Sequence, residues 1–92
     1  MSKKYKDSFV IINEKGLHTR PSTELVKCAT AFKSQIKLLY QNYTVNAKSL
    51  LGILMLAAAR GAKIQVVAEG EDAEEAVKSI LQLASNKFYI KY

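Results

Sequence analysis

Residues 5 to 12 alternate, with Tyr5, Asp7, Phe9 and Ile11 on one side and Lys6, Ser8, Val10 and Ile12 on the other. They are rich in aromatic and β-branched types, and together these features predict a strand. Asn13 to Gly16 supply turn residues. From Ser22 the apolar positions Leu25, Ala29 and Phe32 recur at helical spacing, so a helix is expected over residues 19 to 33. Ile36, Leu38 and Tyr40 share one side of a strand over residues 35 to 40. Residues 43 to 46 continue it after Gln41-Asn42, a pair suited to a tight hairpin because asparagine tolerates positive φ. Ser49 caps a second helix expected to run through Arg60 and stop at Gly61. Ile64, Val66 and Ala68 alternate in a fourth strand. After Gly70, Asp72 and Glu75 read as a capping-box variant opening a third helix that buries Ala76, Val77, Ile80 and Ala84. The order strand, helix, strand, strand, helix, strand, helix predicts an α+β domain with helices on an antiparallel sheet.

The second helix stands out because LLGILMLAAA is apolar almost all round, more than a half-buried surface helix needs. Part of that surface is therefore expected to meet a partner; the alternative for each residue is core packing. Gly52 within it implies close approach of a neighbouring element or a partner.

At 92 residues the chain is expected to form one domain, residues 1–92, with a core too small for a deep enclosed site, so chemistry is expected on the surface. The longest apolar run, Leu50 to Ala59, is well short of the roughly 20 residues that span a bilayer. The polar start MSKKYKDS is followed by no signal-peptide core, and the expected location is the cytoplasm. One cysteine and one histidine offer no zinc constellation, so neither a metal nor another cofactor is expected. Cys28 reads as a small buried hydrophobe rather than a redox thiol. A formal charge of +6 favours association with an acidic partner surface or a polyanion.

The informative segment is Gly16-Leu17-His18-Thr19-Arg20-Pro21-Ser22, where a turn enters the first helix. Free amides and the helix dipole favour negative charge at a helix N-terminus. Pro21 suits the first turn, where its missing N–H would have been an orphan donor. A histidine here has an ordinary pKa of about 6.5, which leaves a neutral nucleophilic imidazole near pH 7, and Arg20 can fork onto phosphate oxygens. The bland alternative is a histidine that is a cap or a surface residue.

The run GLHTRPS resembles the phosphoacceptor signature of HPr, the histidine-containing phosphocarrier of the bacterial phosphoenolpyruvate-dependent sugar phosphotransferase system. VNAKSLLGILMLAAARG is similar to that family's regulatory-serine segment, and AEGEDAEEAV to the start of its last helix. The three occur in family order over about residues 5 to 85. The resemblance implies an open-faced β-sandwich, βαββαβα, with a four-stranded antiparallel sheet covered by three helices. It implies that His18 carries the phosphoryl group on Nδ1, screened by Arg20, and that the protein is a carrier rather than an enzyme. Phosphate would arrive from enzyme I and leave to enzyme IIA. Both partners would dock on the first two helices, which makes Leu50, Leu51 and Leu54 a candidate patch fringed by Lys27 and Lys48. Ser49 would be the site of regulatory phosphorylation by an HPr kinase, the alternative being a plain helix cap. The tail from Phe88 to Tyr92 runs past the family's usual end, and the strong positive charge departs from its usual character.

Two other functions fit parts of the chain. One is a regulatory HPr relative without a sugar-transport role. The other is an RNA-binding domain of the RRM type, against which stands the lack of clustered strand aromatics, since Tyr40 and Tyr43 flank a hairpin.

Overall fold

A computed structural model describes residues 3–92. The elements in chain order are β1 (Lys4–Val10), α1 (Thr19–Thr30), β2 (Gln35–Tyr40), β3 (Tyr43–Asn46), α2 (Leu50–Met55), β4 (Lys63–Glu69) and α3 (Ala73–Ser85), followed by a short 3-10 turn at Lys87–Tyr89. The strands form one antiparallel sheet in the order β1-β4-β2-β3, with Phe9 opposite Ile64 and Leu38 opposite both Val66 and Val45. Period-2 alternation sends Phe9, Ile36, Leu38, Ile64, Val66 and Ala68 to the face that α1 and α3 cover. Lys37, Lys63, Gln65 and Glu69 remain exposed. Among the described residues, no helix is long and apolar enough to cross a membrane.

The expected element order is present, with local corrections. β1 ends at Val10, so Ile11 and Ile12 lie beyond it. The Ile11 main chain still exchanges bonds with the loop before β4, donating to the Ala62 carbonyl and accepting from the Gly61 N–H. Asp7, grouped by alternation with Phe9, stays exposed on this edge strand. α1 stops at Thr30, leaving Phe32 half-buried after its end. In the β2–β3 hairpin the positive φ, 55°, falls on Gln41 rather than on Asn42.

The largest difference is α2. It closes after six residues, because Ala57 takes a left-handed conformation (φ 49°) and donates to the Leu54 carbonyl, so Ala57 rather than Gly61 is the residue past the cap. Gly61 has positive φ as well, but in the turn that leads into β4.

The Asp72–Glu75 capping box is not formed: Asp72 makes no side-chain bond to its own helix. Its carboxylate instead accepts from the main-chain N–H of Lys33 at 2.9 Å and of Ser34 at 3.0 Å, and from the Ser34 hydroxyl. These bonds hold the carboxyl below its ordinary range, the Ser34 hydroxyl being the largest cause and the Lys33 amide the next. Asp72 thus closes the α1–β2 connection onto the start of α3. The predicted apolar face of α3, Ala76, Val77, Ile80 and Ala84, is buried, together with Ala73 and Leu83.

Candidate functional site at the start of the first helix

His18 is the N-cap residue of α1, in extended backbone conformation, with its own carbonyl already accepting the Ser22 N–H at 3.1 Å. Two backbone constraints set it there. The Leu17 N–H donates to the Ala58 carbonyl at 2.9 Å, and Gly16 (φ 68°) lies so close to the same loop that a Cβ would come within 2.4 Å of that carbonyl oxygen. Only glycine fits both demands, close approach and a left-handed dihedral. The short α2 therefore matters for the site, because the chain leaving it supplies the ledge on which the histidine loop rests. Below the loop, buried Ser22 donates its hydroxyl to the Leu17 carbonyl, and Pro21 is buried in the first helical turn.

At this helix start the amides of Thr19 and Arg20 belong to the first turn, where main-chain donors have no intrahelical acceptor, and Pro21 contributes none. The helix has no acidic residue in its first turn to compete for them. The half-buried imidazole of His18 lies with Arg20, Lys15 and Tyr92. His18 Nε2 is 3.0 Å from the main-chain oxygen of Tyr92, and the two rings stack at 5.4 Å with 17° between their planes. Arg20 Nη1 donates to the Tyr92 hydroxyl at 2.8 Å, and Lys15 Nζ lies 4.5 Å from the phenol centroid. Histidine, two cations and a set of first-turn amides are groups that can receive an anion at the surface.

The remaining sequence candidates lie on or beside α2. Ser49 caps it, its hydroxyl accepting from the Gly52 N–H at 3.1 Å. Leu51 is 69 % exposed and Leu50 36 %, while Leu54 is half-buried and Ile53 and Leu56 are in the core. Met55, 68 % exposed, extends the same apolar surface beyond the three expected leucines, standing four residues after Leu51 and so on the same side of the helix. Lys27 is exposed and pairs with Glu24 at 3.4 Å. Lys48 donates from its ammonium to the Phe32 carbonyl at 2.7 Å, just past the end of α1. Cys28 is half-buried, and burial pushes its thiol up from the ordinary value, which disfavours the thiolate.

An open antiparallel sheet covered on one face by helices presents a histidine at a helix start, near an arginine, an arrangement suited to receiving an anionic group at the surface. A family model described as the phosphorylation site of the HPr component of the phosphotransferase system matches residues 5–86. Solved structures agree. HPr from Thermoanaerobacter tengcongensis is 39 % identical, with a TM-score of 0.90 over 96 % of this chain and 99 % of that one. A phosphocarrier protein HPr from Bacillus anthracis is 33 % identical, with a TM-score of 0.84 over 88 % and 96 %. A Mycoplasma histidine-containing phosphocarrier protein is 32 % identical, with a TM-score of 0.86 over 96 % and 100 %. The chain belongs to the HPr family, the phosphocarriers of the phosphotransferase system, and has that family's fold.

Proposed function

We propose that His18 accepts a phosphoryl group on Nδ1 from enzyme I, itself charged by phosphoenolpyruvate, and passes it to an enzyme IIA. The observation that carries this reading is the position of His18 at the cap of α1, beside first-turn amides, with Arg20 bonded to the same Tyr92 that stacks on the imidazole. In the forward step the Nδ1 lone pair forms the new N–P bond as the donor's N–P bond breaks, and the donor nitrogen takes back the electron pair. Nε2 keeps its proton throughout, so the acceptor needs no general base. The transferred group carries about two negative charges, which the helix dipole, the amides and Arg20 would meet. In the free protein Arg20 is bonded to a neutral phenol, and exchanging it for a charged phosphoryl oxygen is favourable because charge-assisted hydrogen bonds are roughly twice as strong.

Leu50, Leu51 and Leu54 would form the contact patch for enzyme I and enzyme IIA, with Met55 as an addition and Lys27 at the fringe. Lys48 would fringe the patch as well, while one of its donors fastens the end of α1 at Phe32. Ser49 is the proposed regulatory site for an HPr kinase. The whole chain, residues 1–92, would act as one carrier domain in the cytoplasm. Incubation with phosphoenolpyruvate and a purified enzyme I should give an acid-labile, base-stable phosphate on the wild type and none on His18→Ala; equal labelling of the two would end the proposal.

A further inference from the structure

The strand register places Lys4, Lys6, Lys37 and Lys63 together on the sheet face that the helices leave uncovered. Lys6 and Lys37 flank Val67 from its two sides, Lys4 lies two residues before Lys6 on β1, and Lys63 is opposite Val10. All four are exposed. With strands about 4.8 Å apart and a rise of about 3.4 Å per residue, the backbone of Lys6 is roughly 7 Å from that of Lys4 and roughly 10 Å from that of Lys37. Among the described residues none of the four is in an ion pair. The acid on this face is Glu69, opposite Lys4, with exposed Asp7 at the β1 edge. Like charges separated by about a Debye length, 8–10 Å, reinforce one another's field, and their repulsion weighs on the fold. Spread negative charge laid over the face relieves it.

We propose that the uncovered sheet face binds the surface of an anionic lipid bilayer. The choice of occupant follows from what stands on the face. Its cations are all lysines, compact and strongly hydrated point charges, while Arg20 and Arg60 lie outside the strands. Protein interfaces are depleted in lysine and anchored by tyrosine, tryptophan and arginine, and none of those anchors is present here. Single-stranded nucleic acid needs aromatic rings for its bases. The strand aromatics Tyr5, Phe9, Tyr40 and Tyr43 alternate to the other face. Val67 and Leu39, the apolar residues at the centre, are half-buried, so nothing large projects from the sheet. A level field of lysines without an anchor suits a laterally mobile layer of anionic headgroups, whose attraction grows with each basic residue that reaches it.

Binding in this way leaves the carrier surface free. His18 opens a helix of the opposite layer, whose Leu25 and Ala29 pack in the core with Ile36 and Leu38 from the inner side of the sheet. A chain resting on lipid through Lys6 and Lys37 therefore keeps His18 and the exposed side of α2 turned to solvent. The inference stands apart from the reading of His18 as acceptor.

Co-sedimentation with vesicles tests it, using phosphatidylglycerol and phosphatidylcholine in equal parts against phosphatidylcholine alone. Wild type should bind the anionic vesicles at low salt, ignore the neutral ones, and detach as ionic strength rises. Each lysine near an anionic surface strengthens binding about five-fold, so Lys6→Gln/Lys37→Gln should bind about 25-fold more weakly, with unchanged circular dichroism. Lys78→Gln/Lys87→Gln removes the same charge from α3 and the turn after it and should stay close to wild type. Equal weakening of the two double variants would mean attraction by net charge alone and would overturn the assignment of the face, as would no binding by wild type. Poly-glutamate and an oligothymidylate serve as rival probes. If either binds through Lys6 and Lys37 while vesicles do not, the lipid reading falls and the face belongs to an acidic protein or a nucleic acid. Labelling of His18 by enzyme I decides the carrier reading separately, and its failure would leave the vesicle result standing.

Discussion

The buried side chain of Asn13 donates to the main-chain carbonyl of Lys87 at 3.0 Å, joining the loop before the histidine to the tail across 74 positions. The side-chain Oδ1 of Asn13 has no partner among the described residues, so the residue is retained there at a cost, and the bond to the tail is its compensating contact. Asn13→Ala removes that donor and leaves the Lys87 carbonyl with its bond from the Ile90 N–H alone, for a loss of about 0.5–1.5 kcal/mol. Phe88→Ala should lose more, about 3–5 kcal/mol, because it empties the place of a fully buried ring. Urea unfolding measures both, and equal small effects would show that the tail is not part of the cooperative core.

Asp72 makes stability depend on acid pH. Its carboxyl is held below the ordinary 3.8, so the charged form is favoured by folding. The contribution is fully present above the ordinary carboxylate value and is lost as pH falls through the lower folded value. Asp72→Asn should therefore bring the denaturation midpoints of wild type and variant together as pH drops below about 4, where the wild-type carboxyl loses its advantage. A gap that stays constant through that window would mean that the amides of Lys33 and Ser34 do not bind the ionised form preferentially.

The strands, the buried face of α3 and the His18 segment are legible in the sequence because each is a local signal: period-2 alternation, i and i+4 spacing, or a turn running into Pro21. What escapes is non-local. The acceptor for the Ser34 amide is Asp72, 38 positions away, so a residue that looks like a helix cap serves the α1–β2 connection instead. The early end of α2 is set by Ala57 adopting a left-handed dihedral without the glycine that advertises one, while an unbroken apolar run suggests that the helix continues. The tail carries no turn signal at all, since Lys87, Phe88 and Tyr89 are poor left-handed residues held there by burial and by Asn13. The His18 segment is thus readable in the sequence, but the stacking of Tyr92 on its ring is not.

Ala57 offers a direct check on that account of α2. It is exposed, and its φ of 49° burdens an alanine but not a glycine. Ala57→Gly relieves about 1–2 kcal/mol of backbone strain and loses about 0.5–1 kcal/mol to the freer unfolded chain, leaving a net gain of roughly 0.5–1 kcal/mol. Thermal denaturation should show a higher midpoint for the variant. A lower midpoint would mean that the left-handed turn is not the end of α2 in solution.

The unequal burial of α2 separates contact from core. Leu51→Glu places a charge on a side chain already 69 % exposed and should change stability little while weakening enzyme I binding. Ile53→Glu buries an unpaired carboxylate and should cost several kcal/mol or abolish folding. Leu54, half-buried, should fall between them. Titration calorimetry with enzyme I, alongside urea melts, distinguishes these cases, and unimpaired binding by Leu51→Glu would remove it from the patch.

Ser49 has a structural task that must be kept apart from regulation. Its hydroxyl accepts the Gly52 N–H at 3.1 Å, a cap whose loss in Ser49→Ala costs about 1 kcal/mol. Aspartate is as good a cap as serine, so Ser49→Asp should keep the fold and its circular dichroism. A phosphate there is likewise tolerated by the helix N-terminus and by neighbouring Lys48, whose ammonium keeps its charge and two further donors while bonded to the Phe32 carbonyl. Its effect is felt outward. About two negative charges would stand next to Leu50 and Leu51, at the margin of the apolar surface that a partner must desolvate, and an acidic partner drawn by the +6 chain would meet repulsion there. Ser49→Asp is therefore expected to slow enzyme I-dependent phosphorylation of His18 several-fold, through a higher KM for the carrier rather than a lower kcat. Raising the salt should narrow the difference, because the repulsion is screened over about 8–10 Å. An HPr kinase with ATP should label the wild type and not Ser49→Ala. Unchanged kinetics in the aspartate variant, together with no labelling by the kinase, would leave Ser49 as the cap of α2 alone.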